Sequence, residues 1–273
     1  MDSPQISTDS GARAIEDVEF ASTQFPPEIG PALRILEEYS GVAPEEIPGL
    51  ISKIQGKAFA ICPYGCIKSF GFLNLTPTLE DPRYQTVLKR LRVPGSTETF
   101  LEAGCCLGMV ARHLASQGVP DDRLYGTDLR AGYLDLGYEL FGDRARSRAT
   151  YVAGDMMMDE STSVDTRLDD ALKGKIDIIY ASNFFHLFER EGQLRAAKRM
   201  AGFLRPESPG VMIFGQNQGP KIEGWEKYVL DPESWSALWD EVGRISGAKW
   251  RTEMEVNSTD EWNSVRFGVY RVI

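Results

Sequence analysis

The sequence predicts an α/β protein whose core is a doubly wound, seven-stranded, mostly parallel β-sheet, preceded by an N-terminal helical region. From about residue 99, short apolar segments alternate with helical segments, and this alternation is typical of a parallel sheet covered on both faces. Five such strands are followed by a helix and two strands joined by polar residues, an order that predicts one reversed strand. The residues before the sheet have apolar side chains at helical spacing and several turns.

The chain before the sheet divides into a tail and a helical region. Residues 1–24 are polar without a clear period, so we expect a flexible tail. Residues 25–95 form the helical region, and 96–273 form the sheet domain. The pair Asp81 and Pro82 is a typical helix start, because aspartate caps free backbone amides and proline fits the first turn. Helices are predicted over 31–39, 45–57 and 82–92.

The strands and helices of the sheet domain follow from their local patterns. The five strands before the final pair are predicted over 100–103, 123–128, 150–155, 176–181 and 211–215. The fourth is the most apolar and is therefore expected at the centre of the sheet. The helices between and after them are predicted over 107–117, 133–141, 193–204 and 234–245. The final two strands are predicted over 250–256 and 265–272.

Charge and cysteine content exclude several classes of protein. The 273 residues include 40 acidic and 30 basic ones, giving a net charge of −10 and a pI near 4.9. This balance argues against nucleic acid or an anionic membrane as the main partner, because both require a basic face. The sequence contains no apolar run of 18 residues, no pattern of a secretory signal and only four cysteines. We therefore expect no membrane span and a cytoplasmic location.

The first predicted strand ends in a glycine-containing turn, Glu102-Ala103-Gly104-Cys105-Cys106-Leu107-Gly108. Gly104 permits a tight turn and Gly108 permits close packing of the following helix. The turn is not a dinucleotide fingerprint, because Cys106 and Met109 stand where the second and third glycines are required. Glu102 would also repel a pyrophosphate. The turn therefore favours a cationic nucleoside without phosphate, such as S-adenosylmethionine, and argues against an NAD-dependent oxidoreductase.

Polar side chains also follow the next three strands, at the edge where ligands of open α/β sheets bind. Asp128 lies 20 residues past Gly108, the spacing at which an acid accepts hydrogen bonds from ribose hydroxyls. Asp155 can accept from an adenine amine, and Met156 can lie against the purine. Together these strand ends predict an adenosyl-cofactor site. The residues assigned to it are Glu102, Gly104, Gly108, Asp128, Leu129, Gly154, Asp155, Met156 and Asn183.

On these residues the chain resembles the class I S-adenosylmethionine-dependent methyltransferases, which have a Rossmann-like fold. More narrowly, it is similar to the fungal methyltransferases of meroterpenoid (terpenoid-polyketide) biosynthesis from about residue 25 onward. Met109-Val110 differ, because that family tends to have Gln-Asp there. The segments that carry the narrower resemblance are Phe25-Pro26-Pro27-Glu28-Ile29, Pro63-Tyr64-x-Cys66-Ile67, Gly104-Cys105-Cys106-Leu107-Gly108, Leu124-Tyr125-Gly126-Thr127-Asp128-Leu129, Leu136-Gly137-Tyr138-Glu139-Leu140-Phe141 and Phe184-Phe185-His186-Leu187-Phe188.

The resemblance implies transfer of a methyl group to the carboxylate of a farnesylated aromatic polyketide acid or a related intermediate, giving a methyl ester. A carboxylic acid is already ionised at pH 7 and needs only a group that orients it, whereas a phenol or alcohol needs a base. His186 is the candidate catalytic residue in either case, and His113 is assigned a structural role. In this class the region 25–95 often forms a lid. The candidate aromatic walls for a lipophilic substrate are Tyr64, Phe70, Phe72 and Phe185.

Several alternatives stay open at this point. His186 could act as base on a phenol or alcohol, and the same scaffold could serve a cyclase, an isomerase or a non-catalytic binding module. Cys62 and Cys66 lack the second ligand pair that structural zinc requires, so no metal is expected. Lys68 or Arg83 could pair with a substrate carboxylate. The expected partner is a small lipophilic acid, and a homodimer is left open.

Overall fold

The computed structural model describes residues 25–158, 166–206, 208–220, 231–258 and 262–272, so the expected tail over 1–24 lies outside the described residues. The helices in these ranges are α1 (Gly30–Glu38), α2 (Ile47–Ile61), α3 (Gly65–Lys68), α4 (Thr76–Leu79), α5 (Pro82–Arg92), α6 (Met109–Ser116), α7 (Ala131–Phe141), α8 (Arg167–Leu172), α9 (Arg190–Phe203) and α10 (Pro232–Ser246). The strands are β1 (Phe100–Ala103), β2 (Leu124–Asp128), β3 (Thr150–Ala153), β4 (Ile178–Ser182), β5 (Met212–Pro220), β6 (Lys249–Ser258) and β7 (Trp262–Val272).

The seven strands form one sheet in the order β3-β2-β1-β4-β5-β7-β6. Strands β1 to β5 run parallel, and β7 pairs antiparallel with both β5 and β6. The chain runs outward from β1 to β3 and then returns to place β4 beside β1. Ligands of such sheets bind beyond the carboxyl ends of the strands at this change of direction. The predicted fold class is confirmed.

Side chains that alternate along the strands divide the core between the two faces of the sheet. Phe100, Tyr180 and Phe214 lie on one face, in a cluster that also contains buried residues of α1, α2, α5, α6 and α7. Leu101 and Ile179 lie on the other face, with buried residues of α8, α9 and α10. This alternation is the two-residue period of a strand covered on both sides. The N-terminal helices therefore cover the same face as α6 and α7.

Local sequence signals set several helix ends. The Asp81 carboxylate accepts from the backbone N–H of Arg83 at 2.8 Å and caps α5, as predicted. Asp231 and Ser234 form a reciprocal capping box at the start of α10. Helix α7 ends at Phe141 and is followed by Gly142, whose positive φ of 57° is readily adopted by glycine.

Some element bounds differ from the sequence prediction, and each difference has a local cause. Strand β5 runs to Pro220 rather than to residue 215, because its antiparallel pairing with β7 continues beyond the apolar segment. Helix α6 begins at Met109, since Leu107 and Gly108 belong to the preceding turn. Helices α3, α4 and α8 were not predicted, because four to six residues are too few to show a helical period. The division into a lid region and a sheet domain stays a prediction.

No helix within the described ranges combines the length and the apolar character needed to cross a bilayer.

Candidate functional site

The glycine-containing turn after β1 is held in an unusual backbone conformation. Gly104 has a φ of +67° and Gly108 a φ of +70°. A Cβ atom at Gly104 would lie 2.7 Å from the Phe184 ring, and one at Gly108 would lie 2.6 Å from the Tyr151 ring. Cys106 also has a positive φ, +51°, although it has a side chain. Left-handed non-glycine residues concentrate at functional sites, so this strain marks the turn as a candidate ligand contact.

Glu102 lies beneath this turn and is buried. Its carboxylate accepts from the backbone N–H groups of Val110 and Ala111, at 3.3 and 3.0 Å, in the first turn of α6. Burial raises the pKa of Glu102 to about 7, against the lowering effect of these two hydrogen bonds and of Arg112. The geometry thus connects Glu102 to the helix N-terminus. Its assignment to cofactor binding stays a prediction.

Asp128, at the end of β2, supports the neighbouring turn. One carboxylate oxygen accepts from the Cys106 N–H at 2.8 Å and the other from the Arg130 N–H at 2.9 Å. Burial raises the pKa of Asp128, while these hydrogen bonds lower it. Each oxygen keeps a second lone pair for a ligand hydroxyl. The adjacent Leu129 side chain is 52% exposed at the same edge of the sheet.

The turn after β3 holds the next group of candidate residues. A Cβ atom at Gly154 would lie 2.5 Å from Leu168 of α8, so only glycine fits there without displacement. The Asp155 carboxylate accepts from the N–H of Met157 at 2.8 Å. Met156 is buried and packs in the core cluster with Leu168. The structure therefore gives Met156 a clear packing role, and its predicted contact with a purine stays a prediction.

The turn after β4 differs from the preceding ones because it contains buried polar atoms that no other described residue pairs with. Asn183 has a φ of +50°, and its backbone N–H donates to the Gln216 carbonyl at 2.7 Å, which extends the pairing of β4 with β5. The Asn183 Oδ1 atom is buried and has no hydrogen-bond partner among the described residues. Buried acceptors are nearly always hydrogen-bonded, so this atom is a candidate ligand contact.

His186 lies in a single 3₁₀ turn, Phe185–Leu187, that follows β4. Gln193 of α9 fixes this turn by donating to the carbonyls of Phe185 and Phe188, at 3.2 and 2.9 Å. Burial lowers the pKa of His186, and the side chain of Asn217 acts in the opposite direction. Burial therefore favours the neutral form of the imidazole. Its Nδ1 atom is buried without a partner in the described part of the chain.

Asn217 is a candidate residue that the sequence analysis missed. It lies on β5, is only 2% exposed, and its Oδ1 atom is buried without a partner within the described ranges. Its influence on His186 places the two side chains near each other. The prediction ended β5 at residue 215. A polar residue two positions past a buried strand was the available signal.

The four predicted aromatic wall residues have different environments. Phe185 is fully buried against Trp235 and Phe267, with ring centroids 5.1 and 5.8 Å away, so its contacts are with the core. Phe70 and Phe72 are partly buried against the core face that carries the N-terminal helices. Tyr64 is exposed, and its ring centroid lies 6.3 Å from that of Tyr133. Substrate contact by these four residues stays a prediction.

The remaining candidate side chains are engaged elsewhere or exposed. The Nδ1 atom of His113, on α6, is hydrogen-bonded to the hydroxyl of Tyr84 on α5, which agrees with a structural role. Arg83 forms ion pairs with Asp81 and Glu255, at 3.2 and 2.7 Å, whereas Lys68 is exposed. The four cysteines are free, and the described residues contain no cluster of histidine, cysteine or acidic groups suited to a metal ion.

Comparison with known proteins identifies the family. Residues 22–73 match the model of the meroterpenoid methyltransferase N-terminal domain, and residues 100–207 match a methyltransferase domain. The chain is 38% identical over 265 residues to the O-methyltransferase phiE of Fungal sp. (strain ATCC 74256), covering 93% of this chain and 85% of phiE. It is 36% identical to the asnovolin E/chermesin D methyltransferase nvfJ of Aspergillus novofumigatus, covering 82% of this chain and 80% of nvfJ.

Among solved structures, the CurJ carbon methyltransferase is similar with a TM-score of 0.49 and 15% identity, over 89% of this chain and 68% of that one. The sheet order and the identities to phiE and nvfJ agree with the resemblance found in the sequence. The chain belongs to the fungal meroterpenoid methyltransferases.

Proposed function

We propose that this protein transfers the methyl group of S-adenosylmethionine to a carboxylate oxygen of a lipophilic meroterpenoid acid and so forms a methyl ester. One observation carries the proposal: Asn183 Oδ1 and His186 Nδ1 are buried and lack hydrogen-bond partners within the described residues. Because buried polar atoms are nearly always paired, we infer that ligands supply the missing partners. The family membership supports the type of reaction.

The residues at the strand ends suit the proposed cofactor. The Asn183 amide oxygen has no partner in the described part of the chain and belongs to the residue before Phe184, whose ring packs at Gly104 of the glycine-containing turn. This oxygen suits an ammonium or hydroxyl donor. The free lone pairs of Asp128 suit ribose hydroxyls, and the carboxylate of Asp155 suits the adenine amine. The turn itself brings its backbone against the Phe184 ring at Gly104. When bound, S-adenosylmethionine supplies an electrophilic methyl group on a sulfonium.

The chain's own contribution is to hold the acceptor oxygen in line with that methyl group. Orientation of two reacting groups can lower a barrier by about 7 to 11 kcal/mol. A carboxylate needs no base at neutral pH. We assign to the neutral imidazole of His186 the role of orienting it by donating one N–H to one carboxylate oxygen, which leaves the other oxygen free to react. Asn217 is a second polar group available to the acceptor.

A second candidate reaction is methylation of a phenol or alcohol. The specific observation in its favour is the lowered pKa of His186, since a neutral imidazole can accept the hydroxyl proton. In that reaction His186 would act as general base rather than as an orienting group.

Substrate analogues distinguish the two reactions. We expect purified protein with S-adenosylmethionine to add one methyl group to a lipophilic aromatic acid, and to the same acid whose hydroxyls are blocked. It should not methylate the corresponding ester. Mass spectrometry of the products measures this outcome. Turnover of the ester with a free hydroxyl would instead support the second reaction, and no methylation of any analogue would count against both.

A cytoplasmic location and closure of the region 25–95 over the substrate are further parts of the proposal, and a homodimer is left open. Light scattering of the purified protein would measure its assembly state.

A further inference from the structure

Two buried arginines brace the turns that carry the candidate cofactor residues. Arg112 extends from α6 on one face of the sheet, and Arg199 extends from α9 on the other. They are 2% and 5% exposed, respectively. Each forms an ion pair with an aspartate and also donates to backbone carbonyls of a turn at the carboxyl edge of the sheet. We call them the Arg112 brace and the Arg199 brace.

The Arg112 brace supports the turn after β1. Its guanidinium donates to the carbonyls of Leu107 and Gly108 at 2.7 and 3.2 Å. It also forms a two-point ion pair with Asp143, at 2.7 and 3.1 Å. The ring of Tyr151 lies under the guanidinium, 4.7 Å from ring centroid to Cζ. The carbonyls of the turn therefore bind a guanidinium whose position is fixed by Asp143 and by the Tyr151 ring.

The Arg199 brace supports the turn after β3 in the same way. Its guanidinium donates to the carbonyls of Asp155 and Met158, at 2.9 and 3.0 Å. It lies 3.4 Å from an Asp169 carboxylate oxygen. The two carbonyls flank the segment whose first residue, Asp155, is the proposed acceptor of the adenine amine. The position of that carboxylate therefore depends on a contact made from the far side of the turn.

Arginine suits this arrangement for a chemical reason. Its planar guanidinium presents five donors in a fixed fork, so it can serve a carboxylate and two carbonyls at once. Lysine keeps the positive charge but lacks this fork. A buried ion pair adds little net stability by itself, so its contribution to the exact placement of nearby groups is the more informative property to test.

We propose that Arg112 and Arg199 are positioning residues with separate effects on the cofactor. The Arg112 brace fixes the turn after β1 and so supports binding of the whole molecule. The Arg199 brace fixes Asp155 and so supports discrimination for the adenine amine. This proposal rests on the proposed function, because it takes S-adenosylmethionine as the ligand and Asp155 as the contact of its amine.

Calorimetric titration with two ligands tests the proposal without turnover. S-adenosylhomocysteine carries the adenine amine, and S-inosylhomocysteine has an oxygen in its place. We expect the wild-type chain to prefer the first by about 10-fold or more, since one hydrogen bond to a charged group is lost with the second. We expect Arg199→Lys to reduce this preference to about 2-fold or less while affinity for the inosyl ligand stays near wild type.

Arg112→Lys should give a different pattern. We expect it to weaken both ligands by a similar factor, about 10-fold, and to keep the preference between them. Arg205→Lys is the matched control, because Arg205 also contacts an aspartate and a carbonyl, those of Asp177 and Lys175, but at the amino-terminal edge of β4. It should change neither affinity. Asp143→Asn and Asp169→Asn provide a second variant of each brace if a lysine variant does not fold.

The outcomes separate the two proposals. Absence of binding to the wild-type chain overturns the proposed function. Normal binding with unchanged affinities and preference in both brace variants overturns only the brace proposal. Equal weakening of both ligands by Arg199→Lys, or no preference in the wild-type chain, overturns the specific effect assigned to the Arg199 brace.

Discussion

The two halves of the sheet's carboxyl edge differ in how their polar groups are satisfied. In the first half, at the ends of β1, β2 and β3, the carboxylates of Glu102, Asp128 and Asp155 accept hydrogen bonds from backbone N–H groups. In the second half, after β4 and along β5, the described residues leave the buried Nδ1 atom of His186 without a hydrogen-bond partner, and the buried side chain of Asn217 lies near it. We call these the cofactor half and the acceptor half, after the roles proposed for them.

The difference indicates that the two halves are prepared for their ligands in different ways. The carboxylates of the cofactor half hold their own turns by accepting hydrogen bonds from backbone N–H groups, so these turns are fixed by contacts within the chain. The unpartnered Nδ1 atom of His186 in the acceptor half carries a desolvation cost of about 1 to 3 kcal/mol, which a correct ligand can remove. Substitutions in the cofactor half should therefore change ligand affinity or folding stability, and those in the acceptor half should change turnover.

The largest expected effect on turnover is in the acceptor half. We expect His186→Ala to lower kcat by about 10² to 10⁴-fold if the imidazole takes a proton, and by nearer 10-fold if it orients a carboxylate. Affinity for S-adenosylhomocysteine should stay within about 2-fold of wild type, because the imidazole belongs to the other half. Steady-state kinetics and calorimetry measure the two quantities. An unchanged kcat would contradict the assignment, and His113→Gln is the control histidine variant.

The pH profile of kcat sharpens this result. Burial lowers the pKa of His186, so the neutral imidazole persists to more acidic pH than for an exposed histidine. If His186 is a base, kcat is constant above its lowered pKa and falls only as the pH drops through it. A decline that instead begins above pH 6.5 would conflict with the buried environment of the imidazole.

Gly104→Ala tests the rigidity of the cofactor half. Its φ of +67° strains any residue with a Cβ atom, and that atom would lie 2.7 Å from the Phe184 ring. We expect the free energy of unfolding to fall by about 3 kcal/mol from strain and overpacking together. Gly118→Ala is the matched control, since Gly118 has a φ of +85° with open space around it and should show the strain alone. If urea denaturation showed the same loss of unfolding free energy for Gly104→Ala and Gly118→Ala, the close packing of the turn would be contradicted.

Asp128→Ala tests the ligand contacts of the same half. We expect affinity for S-adenosylhomocysteine to fall by about 100-fold, because the change removes a charged acceptor and releases the Cys106 N–H that it holds. Asp128→Asn, which keeps one acceptor oxygen, should lose less affinity than Asp128→Ala. Calorimetry measures both. Loss of turnover with unchanged affinity would instead place Asp128 in the acceptor half.

The smallest expected effect is the pH dependence of stability from Glu102. Its pKa is raised from 4.5 to about 7 by burial, so the folded chain binds a proton more tightly than the unfolded chain. Stability contributed by this group therefore falls as the pH rises, by about 2 kcal/mol between pH 5 and pH 7, and is then constant. Glu102→Gln should remove this decline in urea denaturation series. If the difference in unfolding free energy between wild type and Glu102→Gln increased from pH 5 to pH 7, the assignment would be contradicted.

The sequence was most informative where the signals are local. The ends of the apolar segments at Asp128 and near Asp155 predicted where these strands end. The order of strand and helix segments predicted the type of sheet. Helix α8 was missed because its six residues are too few to show a period. Asn217 was missed because β5 is lengthened by pairing with β7, a contact between distant parts of the chain.

The two arginine braces could not be predicted either, because they depend on contacts between distant parts of the chain. Arg112 and Asp143 are 31 residues apart, and Arg199 contacts a carbonyl 44 residues away. Nothing in the local sequence distinguishes these arginines from those on a solvated helix face. The packing of Phe185 against Trp235 and Phe267 is likewise a contact between distant parts of the chain, and the predicted contact of Phe185 with substrate stays a prediction.

Calorimetric titration of the wild-type chain with S-adenosylhomocysteine tests the central claim most directly, because both halves of the site have meaning only if the cofactor binds at the strand ends. The account predicts one site per chain with a Kd of about 1 to 100 µM, near the concentrations at which enzymes commonly bind small ligands. Absence of a binding signal from folded protein would contradict the assignment of the cofactor half and the methyl transfer proposed from it.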